Sequence, residues 1–442
     1  MFKVGFAKAD LEDALLPKQP IREPIEAVSL YIEYGSTSCI WSVLDFMDLN
    51  LLVVNSIRCA IHGKTGIPPE HIHVLTTHNH GGGEPNARIL SSLTANCARA
   101  AMSRAKEAKV RYAFTKTDKK VNVKRRLYIP EISGTATVFY GVSEKYAFES
   151  ALFAEAVIKG LKEGKTVNLP GKSFTESRGE FPDGDREICT VEFATRSGET
   201  IGTLTRFAAH AVCANRPGSF SSDYPYHVRR KMEELCGGVA MFMNGPCAEI
   251  APAMEDKQEG RERVLGEYIA CLAKRAMEGK EFFTPDKIID EIVEVPLPVR
   301  DEVLNNFVDI SDEMPESLSE RKAYLDRKRL CMTLDFLRKK YELGENELAD
   351  TVKVSLGILK LGELTIFAMP GESFSETAMA IKEALGSDIC TVTEHGRTVM
   401  YIPTEEEFYL GGYESACKLT APNAEAILRS ESISALKRTR NK

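Results

Sequence analysis

An apolar run that stops at two histidines and three glycines limits most strongly what this chain can fold into: Ile72-His73-Val74-Leu75-Thr76-Thr77-His78-Asn79-His80-Gly81-Gly82-Gly83-Glu84. The β-branched and apolar residues from Ile72 to Thr77 predict a short buried strand, and His78 and His80, two apart, then point to the same side as it emerges. One histidine can bind a metal while the other faces a substrate. Ordinary hydrogen-bonded histidines at a strand end are the plain alternative. The glycines let the backbone turn sharply and come close to a ligand without side chains in the way.

The residues around this run fix the fold class. Val28 to Tyr34 alternates like a strand, Cys39 to Phe46 reads as a second after a Gly-Ser-Thr turn, and Asp48 to His62 has helical spacing. With the strand from residue 72, these make a β-α-β unit, so the expected class is α/β with a site at the carboxyl ends of the strands. Glu84 to Ala108 reads as an amphipathic helix with Ile89, Leu90, Leu93, Cys97 and Ala101 on one face. Its N-terminus, opened by the glycine loop, would favour an anion.

Length and charge exclude several function classes. The 442 residues suffice for one large catalytic domain or two ordinary ones, and no linker cuts the chain, so one domain over 1–442 is expected. Basic residues number 57 and acidic ones 64, for a net charge of −7, with no basic stripe interleaved with aromatics. That argues against a nucleic-acid partner. The chain start carries no apolar leader behind a basic one, and no segment runs uncharged for the length of a membrane span. A cytoplasmic location is expected. The eleven cysteines are scattered, and Cys59, Cys97 and Cys271 lie in apolar runs, so they read as small buried hydrophobes in a reducing compartment.

Further along, strand-like runs at Val110 to Thr115 and Ala136 to Tyr140 flank Lys124-Arg125-Arg126, a triplet that reads as a solvated loop in preference to a substrate clamp. Glu187 to Ala194 and Thr200 to Ala209 read as a β-hairpin that delivers His210 as the earlier strand delivers His78. A core histidine and a metal ligand are both open for it. Gly238 to Asn244 is a short buried strand, and helices follow at Gly260 to Met277 and Leu318 to Tyr341, the latter with a solvated charged face. Val352 to Leu361 and Leu364 to Met369 form another hairpin, which runs into Pro370-Gly371-Glu372 just before a helix from Ser375. Glu372 can serve that helix dipole or act as an anionic metal ligand. Tyr401 and Tyr413 flank a Pro- and Glu-rich turn, with core packing as the plain reading.

Taken together these motifs resemble the catalytic domain of the neutral, non-lysosomal ceramidase family, zinc-dependent amidohydrolases. The matching stretches run in order: Val4-Gly5 through Asp10, Thr77-His78-Asn79-His80-Gly81-Gly82, Phe207-Ala208-Ala209-His210, Ser222-Asp223-Tyr224, Pro370-Gly371-Glu372, Tyr401-Ile402-Pro403-Thr404 and Gly412-Tyr413-Glu414. The resemblance implies an α/β fold of mixed sheet layers with flanking helices. It also implies Zn²⁺ held by His78, His210, Glu372 and Tyr401, with His80 and Tyr413 contacting the reacting amide. The donor types agree, since nitrogen and oxygen ligands suit zinc.

Two departures shape the expected function. Where the family carries a serine in an N-x-G-D-V-S-P loop, Cys247-Ala248-Glu249-Ile250-Ala251-Pro252 puts Ala251 at the serine position. The family's C-terminal β-sandwich domain is also not expected here. The expected function is therefore hydrolysis of a carboxamide, an N-acyl bond, by zinc-activated water, on a small-molecule amide or ester other than ceramide. Another metallohydrolase, acting on an ester, phosphoester or lactone, is the first alternative. A non-catalytic metal- or ligand-binding homologue is the second. Oligomeric state is left open.

Overall fold

The computed structural model of the protein describes residues 1–137, 150–164, 183–214, 218–253, 260–304, 313–341, 350–386, 388–396 and 399–440. The main elements are β1 (Phe2–Asp10), β2 (Glu26–Tyr34), β3 (Thr37–Leu44), α1 (Leu51–Thr65), β4 (Ile72–Thr76), α2 (Ala87–Ser103), β5 (Lys106–Lys116), β6 (Glu187–Thr195), β7 (Thr200–Phe207), α3 (Asp223–Cys236), β8 (Val239–Asn244), α4 (Arg261–Ala276), β9 (Ile288–Pro298), α5 (Leu318–Tyr341), β10 (Thr351–Leu361), β11 (Leu364–Ala368), α6 (Ser375–Leu385), β12 (Ile389–Val392) and α7 (Ala424–Arg440).

Strand periodicity builds two packed sheets. An eight-stranded sheet runs β8-β7-β6-β5-β1-β2-β3-β4, and a four-stranded one runs β9-β10-β11-β12. Most pairs are antiparallel, but β3 with β4, β7 with β8 and β11 with β12 are parallel, so both sheets are mixed. In β1, Phe2, Val4 and Phe6 face a core shared with Leu359, Leu361, Leu364 and Ile366 of the smaller sheet. Ala7 turns the other way, into the core formed with α1 and α2. Along β10 the same alternation sends Val354, Leu356 and Ile358 to the outer face, against Ile381 of α6 and Leu428 of α7. The result is four layers: helices, large sheet, small sheet, helices.

The α/β reading is thus correct. β4 follows β3 through α1 in a parallel pair, as the β-α-β pattern implies. Three expectations need correcting. Helix α2 starts at Ala87, after a short pairing of Glu84–Pro85 with Leu15–Leu16, and ends at Ser103; the residues after it enter β5. The side chain of its cap, Asn86, accepts the Ile89 N–H at 3.2 Å and so satisfies one of the helix's N-terminal donors. Ile89 is exposed, and Cys59 and Cys271 are exposed rather than buried, because the apolar runs that hold them are helices with one face in water. Of Ala136 to Tyr140, Gly134–Thr137 is a strand, and residues 138–140 lie outside the described residues.

The large sheet is curved enough that its two edges approach each other. Asn244, at the end of β8, donates through Nδ2 to the Thr77 carbonyl just past β4, at 3.1 Å. Asn79 and Ala211 make a parallel bridge beyond β4 and β7. The carboxyl ends of β4, β7 and β8 therefore converge on one place, next to the carboxyl end of β11. No helix among the described residues is long and apolar enough to cross a membrane.

Candidate metal centre

His78, His210 and Glu372 meet where those strand ends converge. His78 leaves β4 with φ +56°, a backbone conformation uncommon for a residue with a side chain. Its Nδ1 donates to the Met47 carbonyl at 3.1 Å. His210 follows β7, and its Nδ1 sits 2.8 Å from the Cys247 carbonyl and 3.1 Å from that of Ile250. Backbone carbonyls thus take the Nδ1 proton of both rings and leave both Nε2 lone pairs facing inward, the arrangement a metal-binding histidine requires. Gly371, at φ +52°, brings Glu372 in, because any Cβ there would lie 2.7 Å from the Met400 carbonyl.

Donor spacing fits one ion. Glu372 Oε2 is 3.3 Å from His78 Nε2 and 3.4 Å from His210 Nε2. Two ligands about 2.0 to 2.2 Å from a tetrahedral zinc stand roughly 3.3 to 3.6 Å apart. His210 Nε2 and Glu372 Oε2 are also buried without a hydrogen-bond partner among the described residues. A cation between them would satisfy both.

His80 lies beside this set and differs from it. Its Nε2 is 3.3 Å from His78 Nε2, and the three imidazoles offer ligand atoms within 4.8 Å of one another. Distance alone therefore admits His80 as a ligand. Yet His80 is only partly buried, where His78 and His210 are 1 % exposed, and no carbonyl among the described residues holds its Nδ1. These two features suit a ring that faces a substrate.

Tyr401 and Tyr413 also come to the site. Tyr401 is register partner to Glu372, and its ring centroid is 5.6 Å from that of Tyr413. Tyr401 is buried and Tyr413 partly exposed. Burial and the nearby Glu372 raise the Tyr401 phenol well above its usual pKa, while Arg125 works in the opposite direction. Arg125 Nη2 donates to the Tyr401 hydroxyl oxygen at 3.1 Å, a charge-assisted contact that favours the anionic form a metal ligand needs.

The reading of Lys124-Arg125-Arg126 as a solvated loop is overturned. Arg125 and Arg126 are buried, and both bind Glu414, at 2.9 Å through Arg125 Nε and 2.8 Å through Arg126 Nη1. Thr137 donates to the same carboxylate at 2.6 Å. Asn122–Lys124 pairs with Ile250–Pro252, which draws the triplet inward, and a pairing so distant in sequence leaves no local signal. Glu394 was equally unmarked. It follows β12 with φ +59° and places Oε1 3.4 Å from His78 Nδ1.

The field at the centre is negative on one side and positive on the other. Burial works against charge on His78, yet Glu372 and then Glu394 raise its pKa to about 10. Carboxylates that favour an imidazolium there favour a metal cation equally. Burial, then Arg125 and His78, push His210 down to about 4 and keep it neutral, as a ligand must be. Glu372 is held well below the carboxylate range by His78 against the cost of its burial.

The glycines after His80 serve packing instead of ligand approach. A Cβ on Gly81 would sit 2.5 Å from the Ser221 carbonyl, and one on Gly82 would sit 2.3 Å from that of Asp45. Ala251 is buried in the short strand Ile250–Pro252. Cys247 is buried too, and desolvation, with Glu372 and Glu394 nearby, raises its thiol well above the usual range.

Comparison with known proteins identifies the fold. No family profile matches the sequence, and no curated protein is similar to it in sequence. The structure is similar to that of the neutral ceramidase from Pseudomonas aeruginosa, with a TM-score of 0.68 and 15% identity, over 99% of this chain and 75% of that one. It is similar as well to a ceramidase complexed with C2, with a TM-score of 0.67 and 14% identity, over the same shares of the two chains. The chain has the ceramidase fold, in agreement with the motif resemblance.

Proposed function

We propose that this protein is a zinc-dependent hydrolase of a carboxamide bond in a small molecule other than ceramide. One observation carries the reading: His78 Nε2 and His210 Nε2 lie 3.3 and 3.4 Å from Glu372 Oε2, and His210 Nε2 and Glu372 Oε2 have no hydrogen-bond partner among the described residues. His78, His210, Glu372 and Tyr401 would hold the ion. Bound zinc polarises a carbonyl and makes water a nucleophile near neutral pH.

The protein's own groups complete the chemistry. Hydrolysis of an amide adds water to the carbonyl and then needs a proton on the leaving nitrogen. His80 Nε2, neutral because burial and then His78 hold its pKa well below the ordinary value, can accept the proton of the attacking water and pass it on. Tyr413 keeps its proton well into the alkaline range through burial, then Cys417 and Glu372, and can donate a hydrogen bond to the oxyanion. Neither Ala251 nor the buried Cys247 thiol supplies a nucleophile, so the reading involves no acyl-enzyme.

The residues given roles run from His78 to Tyr413, so the chain acts as one catalytic domain in this proposal. The cysteines among the described residues form no disulfide, which supports a cytoplasmic location. The test is metal analysis of the purified chain, followed by a panel of N-acyl amides, esters and long-chain ceramide with and without chelator. Chelator-sensitive turnover of short soluble amides is expected. Turnover of esters alone, or efficient ceramide cleavage, would refute the assignment.

A further inference from the structure

A second set of metal-ligand atoms lies where the segment before β2 meets the starts of α3 and α4. Glu23 precedes β2, His227 lies near the start of α3, and Glu262 lies in the first turn of α4. One ligand atom from each falls within 4.8 Å of the others. Three segments far apart in sequence thus bring an imidazole and two carboxylates together.

The hydrogen bonding of these groups is incomplete in a way that points to an ion. Glu23 Oε2, His227 Nε2 and Glu262 Oε2 are all shielded from water and lack a hydrogen-bond partner among the described residues. Glu262 is 3 % exposed. Arg22 Nη2 donates to Glu262 Oε1 at 2.7 Å and forms a longer ion pair with Glu23 Oε1 at 3.6 Å. His227 Nε2 stands 3.8 Å from Glu23 Oε1, too far for a hydrogen bond. Each of the three side chains in the cluster thus keeps a buried polar atom without a partner among the described residues. A divalent cation in the cluster would give such atoms a partner and offset carboxylate charge.

We infer that Glu23, His227 and Glu262 form a second, structural site for a divalent cation of the zinc or manganese class. An imidazole nitrogen with two carboxylate oxygens suits these ions, whereas calcium prefers six or more oxygens. Two donors at zinc distance stand at most about 4.4 Å apart, so the side chains need to close only slightly. The ion would tie the segment before β2 to the starts of α3 and α4. Ser221 links the start of α3 to the loop after His80, since its N–H donates to the Gly81 carbonyl at 3.1 Å. The role is bracing, and it does not depend on the function proposed for the first centre.

The test is stoichiometry. The full chain is stripped with chelator, dialysed against Zn²⁺ and assayed for bound metal, alongside His227→Ala, Glu262→Gln and His78→Ala. Circular dichroism confirms that each variant is folded. We expect about two equivalents in the wild type and about one in each variant. Added Zn²⁺ beyond the first equivalent should also raise the melting temperature of the wild type and not that of His227→Ala. One wild-type equivalent that His227→Ala abolishes and His78→Ala spares would support this site and refute the first. One equivalent that only His78→Ala abolishes, or no bound metal at all, would overturn it.

Discussion

Glu372 and Tyr401 are register partners in a two-residue parallel pairing, Glu372 with Tyr401 and Ser373 with Ile402. Backbone hydrogen bonds therefore set how close a carboxylate and a phenol come, although separate segments deliver them. Glu372 N–H donates to the Met400 carbonyl at 2.9 Å, which anchors the pair at its start. Such a register leaves little freedom for either oxygen, the kind of preorganisation a metal centre needs.

Glu372→Gln should lose metal while Glu84→Gln keeps it. Glu372 is buried between two imidazoles, and Glu84 is an exposed carboxylate in the same loop region as His80. Loss of a group that merely supports a ligand costs roughly 10- to 100-fold in affinity, so loss of a ligand should exceed that. Equal zinc contents after dialysis would remove Glu372 from the centre.

His80→Ala should retain zinc and lose turnover by about 10² to 10³. The two histidines whose Nδ1 atoms are held by carbonyls remain in place, and only the less buried ring is gone. Metal content and kcat measured on one preparation decide the matter. A metal-free variant would move His80 into the ligand set.

Cys247→Ala should stay active, and the wild type should show no burst of product. The thiol is buried, and its raised pKa keeps it protonated at neutral pH. Stopped-flow with a chromogenic amide provides the check. A trapped thioester on Cys247 would contradict the proposal.

The His71–Asp290 pair should make stability depend on pH. His71 Nδ1 is 2.8 Å from the buried Asp290 carboxylate, whose hydrogen bond raises the His71 pKa against the effect of partial burial. The folded pKa lies above the unfolded value of about 6.5, so the stabilisation is full below that pH and fades as pH rises through the folded value. The difference in Tm between wild type and His71→Ala should thus be largest in mild acid and shrink toward alkaline pH. An advantage that grew with pH would show that the pair is not ionic.

What was legible in the sequence came from local patterns. Ile72–Thr76 is a run of mainly apolar and β-branched residues that leads to His78, and the hairpin of β6 and β7 ends near His210, so strand ends could be matched to donors from local pattern alone. The second sheet's place was hidden, since Leu359 and Leu361 reveal an inward face only once Phe2, Val4 and Phe6 are seen opposite them. Arg125 was misread for the same reason. Three adjacent basic residues look solvated until Glu414, distant in sequence, is seen to bind two of them. Glu394, in Val392-Thr393-Glu394-His395, resembles any acidic residue after a strand.

The convergence of β4, β7 and β11 on one point also sets an order of events during synthesis. A ribosome that has released the segment through His210 has exposed both imidazoles proposed to bind zinc, while the Glu372 carboxylate and the Tyr401 phenol are still untranslated. Contacts of such long sequence separation form late, after the loops between them have closed. The nascent chain would thus hold zinc weakly until its last third joins the smaller sheet, and tight retention of the ion would mark the moment when both sheets have docked.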